Sequence, residues 1–334
     1  MALSILVTGG AGYIGSHACK ALARAGYQPV VFDNLSRGHR EAVRWGPLIE
    51  GNLVDRDMLA STLIKHKVTA VMHFAAHAYV GESVANPAMY YRNNLGGSLA
   101  LIEAMRETGV DKIVFSSTCA TYGIPTENPI RESAPQLPVN PYGETKLAIE
   151  RALHWYGKAY GLRSVSLRYF NAAGADLEGQ IGERHEPETH LIPLVLQTAL
   201  EQRTHVDIYG TDYPTADGTA IRDYIHVEDL AEAHLRAFEH LCAGGESMAL
   251  NLGTGRGYSV SEVIDMAEAV CGRTISRRET ARRPGDPPVL VADPSRASEQ
   301  LGWRAHHSDL QTIIRTAFAW HERCATKHIL PRLL

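Results

Sequence analysis

Tyr142 and Lys146 lie in the run Pro141-Tyr142-Gly143-Glu144-Thr145-Lys146, and this is the place to look first for chemistry. The residues that follow, Leu147 to Ala159, are rich in strong helix formers, and Pro141 suits a first helical turn. On a helix, Tyr142 and Lys146 sit on one face, one turn apart. A free phenol ionises near pH ~10, and an ammonium held beside it favours the phenolate, so the pair can make a tyrosine that takes a proton near neutrality. By itself the spacing fits a surface Tyr beside an unrelated Lys more often than a catalytic pair. The elements around it have to decide.

A second candidate stands near the N-terminus. Leu3 to Val7 is a short apolar run, and Thr8-Gly9-Gly10-Ala11-Gly12-Tyr13-Ile14-Gly15 follows it. Ile14, Ala18, Ala21, Leu22 and Ala25 then recur at helical spacing as far as Gly26. Strand, glycine turn and helix form the context of a dinucleotide site, with Gly9, Gly12 and Gly15 spaced as G-x-x-G-x-x-G. Such glycines let backbone approach a pyrophosphate at a helix N-terminus. Tight turns use the same residues, but here a second strand, Pro29 to Phe32, ends in Asp33. A carboxylate there accepts hydrogen bonds from the adenosine ribose and repels a 2′-phosphate, which favours NAD over NADP. Arg37 and Arg40 are near enough to bind such a phosphate, although loop arginines are more often solvated.

The elements that position these groups alternate regularly. Leu48 to Leu53 reads as a strand, Asp55 caps a helix with Leu59, Leu63 and Ile64, and Val68 to Phe74 is a buried strand leading into Ala75-Ala76-His77. One long helix is expected from Asn86-Pro87 to about Thr108, then strand Lys112 to Ser116, the Tyr142/Lys146 helix, and strand Ser164 to Tyr169. This rhythm predicts an α/β fold, a Rossmann-type doubly wound parallel sheet with ligands at the carboxyl ends of its strands. After Asn171 the rhythm breaks. Ala175 to Glu188 reads as a polar loop, Leu191 to Gln202 as helix, and Val206 to Thr219 as turns. Ile225 to Val227 and Ala249 to Gly253 are strand-like, Asp229 and Ser259 open helices, and Leu310 to Cys324 is a final amphipathic helix. Two units are expected: residues 1–174, a cofactor-binding domain carrying the Tyr/Lys helix, and 175–334, a smaller α+β substrate lobe whose strands return to the sheet.

Composition narrows the function. Hydrophobic residues make up 45% and charged residues 21% of 334, ordinary for a globular chain able to bury a large core. A net charge of -4, with no basic block, argues against a nucleic-acid partner. No apolar run is long enough for a membrane span, and the N-terminus reads as a strand, not a signal peptide. Cys19, Cys119, Cys242, Cys271 and Cys324 are scattered, which suggests free thiols in a reducing, cytoplasmic compartment and no metal site.

Later blocks carry a resemblance. They are Thr8 to His17, Val80-Gly81-Glu82-Ser83, Ser116-Ser117-Thr118, Pro141-Tyr142-Gly143, Arg168-Tyr169-Phe170-Asn171, Gly210 to Thr215, Asp217-Gly218-Thr219, Arg222 to Val227 and Arg282-Arg283-Pro284-Gly285-Asp286. In this order they resemble the extended short-chain dehydrogenase/reductase superfamily and, within it, the UDP-glucose 4-epimerases. The resemblance implies redox-neutral inversion at carbon 4 of a UDP-sugar through a 4-keto intermediate. Tyr142 would take the 4-hydroxyl proton while hydride passes to tightly held NAD, Lys146 would keep Tyr142 ionised and hold the nicotinamide ribose, and Thr118 would bond the reacting oxygen. Beside the three glycines, it places NAD against Tyr13, Ile14, Asp33, Asn34, Leu35, Asn52, Leu53, Phe74, Ala75, Ala76, Asn94, Ser116 and Tyr169, with Tyr142 and Lys146. It places the UDP-sugar against Thr118, Asn171, Leu191, Tyr209, Arg222, Arg283, Asp286 and Leu290. Arginines suit a pyrophosphate because they are planar and permanently charged. The resemblance also implies a homodimer, and the long helices expected near residues 88–108 and 143–159 could pack as an isologous four-helix contact.

Two positions depart from the pattern. Asn52 stands where some epimerases place an Asp against adenine, and Ala78 where well-known ones carry a Lys. Ala78 to Ser83 and Ser117 to Tyr122 also resemble UDP-arabinose/UDP-xylose 4-epimerases, and Leu290, smaller than the Tyr of enzymes that exclude N-acetylated sugars, leaves UDP-GlcNAc/UDP-GalNAc open. A 4,6-dehydratase would carry an Asp-Glu pair after Thr118, where Cys119-Ala120 stand. A non-catalytic NAD-binding regulator would have no use for the Tyr/Lys pair and the two arginines.

Overall fold

The first strand, β1 (Ser4–Thr8), is buried along its whole length, as expected of a parallel strand covered on both faces. The structure is a computed structural model and describes residues 2–283 and 285–329; Pro284, within one of the motifs above, lies outside the described residues. Next come α1 (Tyr13–Arg24), β2 (Gln28–Asp33), β3 (Leu48–Glu50), α2 (Arg56–Lys65) and β4 (Val68–His73). The Asp55 side chain accepts from Met58 N at the start of α2. Two short helices, α3 (Val80–Ala85) and α4 (Pro87–Tyr90), lead through a wide π-type turn at Tyr91–Gly96 into α5 (Gly97–Thr108).

That wide turn corrects the expectation of one uninterrupted helix from Asn86-Pro87 to Thr108. It carries Asn94, which is fully buried. Its Oδ1 accepts from His77 N at 2.8 Å, and its Nδ2 donates to His77 O at 3.0 Å. The loop after β4 is fastened by that side chain, and π-type turns often mark functional sites.

The sheet continues with β5 (Lys112–Thr118), α6 (Pro141–Tyr160) and β6 (Arg163–Tyr169). Asn140 caps α6 by accepting from Gly143 N, Pro141 takes the first turn, and Gly161, at φ 75°, ends it. Beyond lie β7 (Asn171–Ala173), α7 (Leu191–Ala199), β8 (Val206–Tyr209), β9 (Ile221–Arg222), β10 (Tyr224–His226), α8 (Val227–Cys242) and β11 (Met248–Leu252). The chain then forms β12 (Tyr258–Ser259), α9 (Val260–Cys271), β13 (Arg277–Thr280), β14 (Val289–Leu290), α10 (Ser295–Leu301) and α11 (Leu310–Ile329). Helix α8 begins two residues before Asp229, so Asp229 does not open it. Its carboxylate instead accepts from His306 N, His307 N and Ser308 Oγ, tying down the loop before α11.

Seven parallel strands form the main sheet, in the order β11-β6-β5-β4-β1-β2-β3. Alternate side chains of β1 serve opposite faces. Ile5 and Val7 pack with Ala18 and Leu22 of α1 and Leu230 and Phe238 of α8. Leu6 packs with Leu59 of α2, Leu101 and Met105 of α5, and Ile149 of α6. The strand order reverses between β4 and β1, so a crevice opens at their carboxyl ends. A third core, from α7, α9 and α11 with Val206, Ile208 and Tyr224, supports the lobe. Val206 to Thr219, read as turns, begins with a true strand: β8 pairs with β13 some seventy residues on, a partner that local sequence does not announce.

Candidate active site

The glycine turn is built so that only glycine fits. Gly9 has φ 73°, and a Cβ there would lie 2.6 Å from Ala75 N; one on Gly15 would lie 2.2 Å from Gly9 O. Gly12 caps α1 without a side-chain hydrogen bond, so the first N–H groups of that helix remain free for an anion. Beside the turn, Asp33 accepts from Ala11 N at 3.0 Å and Leu35 N at 2.8 Å. Burial raises this carboxyl above its ordinary value, and the two backbone donors oppose that rise. Neither nearby arginine is spare for a 2′-phosphate. Arg37 donates to Glu82 at 2.7 Å and to Glu186 O at 2.9 Å, while Arg40 pairs with Glu50.

The catalytic candidates meet at the end of β5. Tyr142 and Lys146 project from the first turns of α6, and Lys146, fully buried, donates from Nζ to Ser116 O at 2.7 Å. The same Nζ lies 4.9 Å from the Phe115 ring centroid and 5.9 Å from that of Tyr142. Ser116 Oγ bonds the Tyr169 hydroxyl at 2.5 Å. Thr118 Oγ1 accepts from Ala120 N at 3.1 Å, a local backbone contact, yet it faces the same cavity as Tyr142. One turn beyond Lys146, Glu150 holds the buried Arg168 at 2.6 Å and accepts from Ser117 Oγ.

Burial penalises the charged form of both candidate groups. It lowers the Lys146 ammonium to about 7. It also raises the Tyr142 phenol far above its ordinary value, an effect that Tyr169 reinforces and Thr118 opposes. The phenolate that the Tyr/Lys spacing suggests is therefore not produced by these two side chains alone.

A cavity of about 740 Å³ joins the two halves of the site. From the dinucleotide side, Gly9, Gly12, Tyr13, Ile14, Gly15, Asp33, Asn34, Asn52, Leu53, Phe74, Ala75 and Ala76 line it. Ser116, Thr118, Tyr142, Lys146 and Tyr169 follow, and Asn171, Leu191, Arg283, Asp286 and Leu290 line the far end. Four expected residues stand outside it. Leu35 has φ 57° in the turn after Asp33, and Asn94 lies behind the wall it fastens. Tyr209 lies beneath the Arg283 guanidinium, 4.0 Å from ring centroid to Cζ, and Arg222 is occupied by Asp286 and by Ile221 O at 2.7 Å.

Other lining residues were not singled out by sequence. Tyr79, Glu82, His185 and His190 border the cavity. Glu82 stands inside a quoted motif, but its role as the partner of Arg37 needs a contact across 45 residues. The histidines belong to a stretch read simply as polar loop. Asp223 is the other omission. Its buried carboxylate accepts from Thr254 N at 2.9 Å and Ala292 N at 3.2 Å, while its backbone joins Asn171 and Leu290. Burial raises this carboxyl to about 6. Among the described residues, no helix is long and apolar enough to cross a membrane.

The family model described as NAD dependent epimerase/dehydratase family matches residues 5–253. A UDP-glucose 4-epimerase of Rhizobium meliloti is 55% identical over 320 residues, covering 96% of this chain and 97% of that protein. The crystal structure of UDP-glucose 4-epimerase from Brucella ovis in complex with NAD superposes with a TM-score of 0.94 at 55% identity, over 95% of this chain and 98% of that one. A Stenotrophomonas maltophila UDP-glucose-4-epimerase, solved with bound NAD and formylated UDP-arabinopyranose, gives a TM-score of 0.94 at 39% identity, over 97% and 99% of the two chains.

Proposed function

This chain belongs to the NAD dependent epimerase/dehydratase family, and from that premise we propose that it inverts carbon 4 of UDP-glucose and UDP-galactose with Tyr142 as the proton-transfer group. One observation carries the reading. A cavity lined at one end by the glycine turn and Asp33, and at the other by Asn171, Arg283 and Leu290, has Tyr142, Lys146 and Thr118 on its wall.

The residues fit NAD. The cradle at Gly9 and Gly15 would be filled by any Cβ, and the helix start behind it offers uncapped N–H groups. When bound, NAD would supply a hydride acceptor, its positively charged nicotinamide ring. Tyr142 in such a field gives up its proton more readily, and burial, which otherwise holds the phenol neutral, makes that field act strongly. Thr118 Oγ orients the sugar hydroxyl, and Tyr142 takes and returns its proton. Lys146 would hold the cofactor ribose with donors beyond the one given to Ser116 O. Arg283 meets the sugar pyrophosphate, and Arg222 joins it by leaving Asp286.

A dehydratase reading loses support at Cys119. Burial pushes that thiol up to about 12, so near neutrality it offers neither a base nor an acid of carboxyl strength. The proposed homodimer is supported by Val84, Tyr91, Trp155 and Tyr160, large side chains exposed on or beside α3 to α6. The free thiols of Cys19, Cys119, Cys242 and Cys271 agree with a reducing, cytoplasmic setting.

The test is conversion of UDP-galactose by the purified protein, with UDP-pentoses and N-acetylated UDP-sugars beside it. Tyr142→Phe is expected to lower kcat by ~10²-fold or more with little change in nucleotide-sugar affinity. Unchanged kcat in that variant would remove Tyr142 from the mechanism.

A further inference from the structure

Two histidines of the cavity wall, His185 and His190, converge with Glu183 and Glu188, and none of the four has a part in the reaction just described. Glu183, His185, Glu188 and His190 each bring one ligand atom to within 4.8 Å of all the others. His185 Nδ1 lies 3.1 Å from Glu183 and 3.8 Å from Glu188; His190 Nδ1 lies 2.5 Å and 3.7 Å from the same two carboxylates. Donors ~2.0–2.1 Å from a tetrahedral ion stand ~3.3 Å apart, inside that range. Both carboxylates are almost wholly buried, at 4% and 5% exposure, and among the described residues no Lys or Arg lies in ion-pair range of either. His185 Nδ1 is shielded from solvent and makes no hydrogen bond, although Glu183 is close by. The two carboxylates are faced by imidazoles alone, so a cation held among the four donors would take the place of the protons that those imidazoles otherwise share with Glu183 and Glu188.

We propose that Glu183, His185, Glu188 and His190 bind one first-row divalent transition-metal ion, with Zn²⁺ as the reference occupant. Two imidazoles with two carboxylates suit such an ion, whereas Mg²⁺ and Ca²⁺ favour all-oxygen sites. The surroundings hold the donors in place. Glu188 accepts from Thr189 N at 2.7 Å and His190 N at 2.9 Å, and Trp320 Nε1 donates to Glu183 O at 2.9 Å. With four protein donors the site is closed, so the ion is structural and takes no part in the proton transfer. It fastens a loop that Arg37 and His39 already grip from the dinucleotide side, through the carbonyls of Glu186 and Arg184, to the start of α7.

The experiment uses full-length, NAD-loaded protein that has been chelator-treated and dialysed, then titrated with Co²⁺ and Zn²⁺. One Co²⁺ per chain is expected, with the strong visible bands of tetrahedral coordination and no thiolate charge-transfer band, and Zn²⁺ should displace it. Tm should rise with free Zn²⁺ concentration. His185→Gln and Glu183→Gln should each weaken binding by more than the ~10–100-fold that loss of an outer-sphere partner costs. No saturable binding at one ion per chain would overturn the proposal, as would undiminished binding in the His185→Gln/His190→Gln double variant. A thiolate band in the wild type would place the ion at a cysteine and overturn it without recourse to any variant that fails to fold.

Discussion

The two ends of the cavity are made differently. At the dinucleotide end, backbone does most of the work: three glycines, an uncapped helix start and one carboxylate, all within residues 9–33 and all braced by the parallel sheet. At the end proposed for the nucleotide-sugar, side chains make the lining, and they come from β7, α7, β14 and the loop before β14. Strand β9 has only two residues, and it is held by β12 on one side and β14 on the other. A backbone site tolerates almost no change and admits one kind of ligand. A side-chain site on short, mutually braced strands can be retuned one residue at a time, which suits the part of a fold that chooses among sugars.

That contrast can be broken by substitution, and the dinucleotide end should break first. Gly15→Ala forces a Cβ to within 2.2 Å of Gly9 O, so the turn must shift. The expected outcome is loss of co-purified NAD, read by absorbance after denaturation, with activity down by roughly 10²-fold, the scale set by small misplacements in an active site. Full NAD retention in Gly15→Ala would show that side chains, not backbone, hold the cofactor.

Lys146 gives the next test, through pH. Its folded value of about 7 lies below the ~10.5 of an unfolded lysine, so burial of its charge is a full cost below pH 7. Between those values the unfolded chain carries a proton that the folded one lacks, and stability therefore rises with pH, by at most ~1.4 kcal/mol per pH unit. Urea unfolding of NAD-stripped protein at pH 7 and pH 9 should show this rise in the wild type and a flatter profile in Lys146→Met. Parallel profiles would mean that Lys146 keeps its charge in the fold. In the intact enzyme, the same variant should turn over slowly and recover partly as pH rises, if Lys146 helps to ionise Tyr142.

Asp33 sharpens the comparison from the same side. Asp33→Ser removes the buried carboxylate that would face a 2′-phosphate, but Arg37 and Arg40 stay tied to Glu82, Glu186 O and Glu50. The expected shift toward NADP is therefore modest, on the order of tenfold in relative affinity, or ~1.4 kcal/mol. A complete switch of preference would show that those arginines let go easily.

The smallest effect is expected at Leu290, half-buried at the sugar end against Phe170 and Tyr122. Leu290→Tyr adds bulk where an N-acetyl group would need room, and Leu290→Ala removes it. The ratio of kcat/KM between acetylated and plain sugars should fall in the first and rise in the second, each by about 1 kcal/mol or a factor of ~5. If neither variant moves the ratio, Leu290 is core packing and the sugar is chosen elsewhere.

Much of this molecule is written locally. The strand-turn-helix at residues 4–24, the acid at the end of β2, and the Asn140 cap and Pro141 that start α6 are signals a few residues long. Each needs only backbone sterics and helix periodicity to be read, and together they determine the alternation that builds a parallel sheet, the glycine turn and the face that Tyr142 shares with Lys146. Tertiary structure decided what depends on burial and on distant partners. The π-type turn at Tyr91–Gly96 fastens Asn94 to His77, the pairing of β8 with β13 turns an apparent loop into sheet, and the Asp286 carboxylate occupies Arg222. The Tyr142 phenol is the clearest case. Spacing places an ammonium beside it and suggests a phenolate, but the folded chain dries the pocket and drives the phenol the other way. A charge's free energy depends on every group and solvent molecule within several ångströms, and that neighbourhood exists only once the chain has folded.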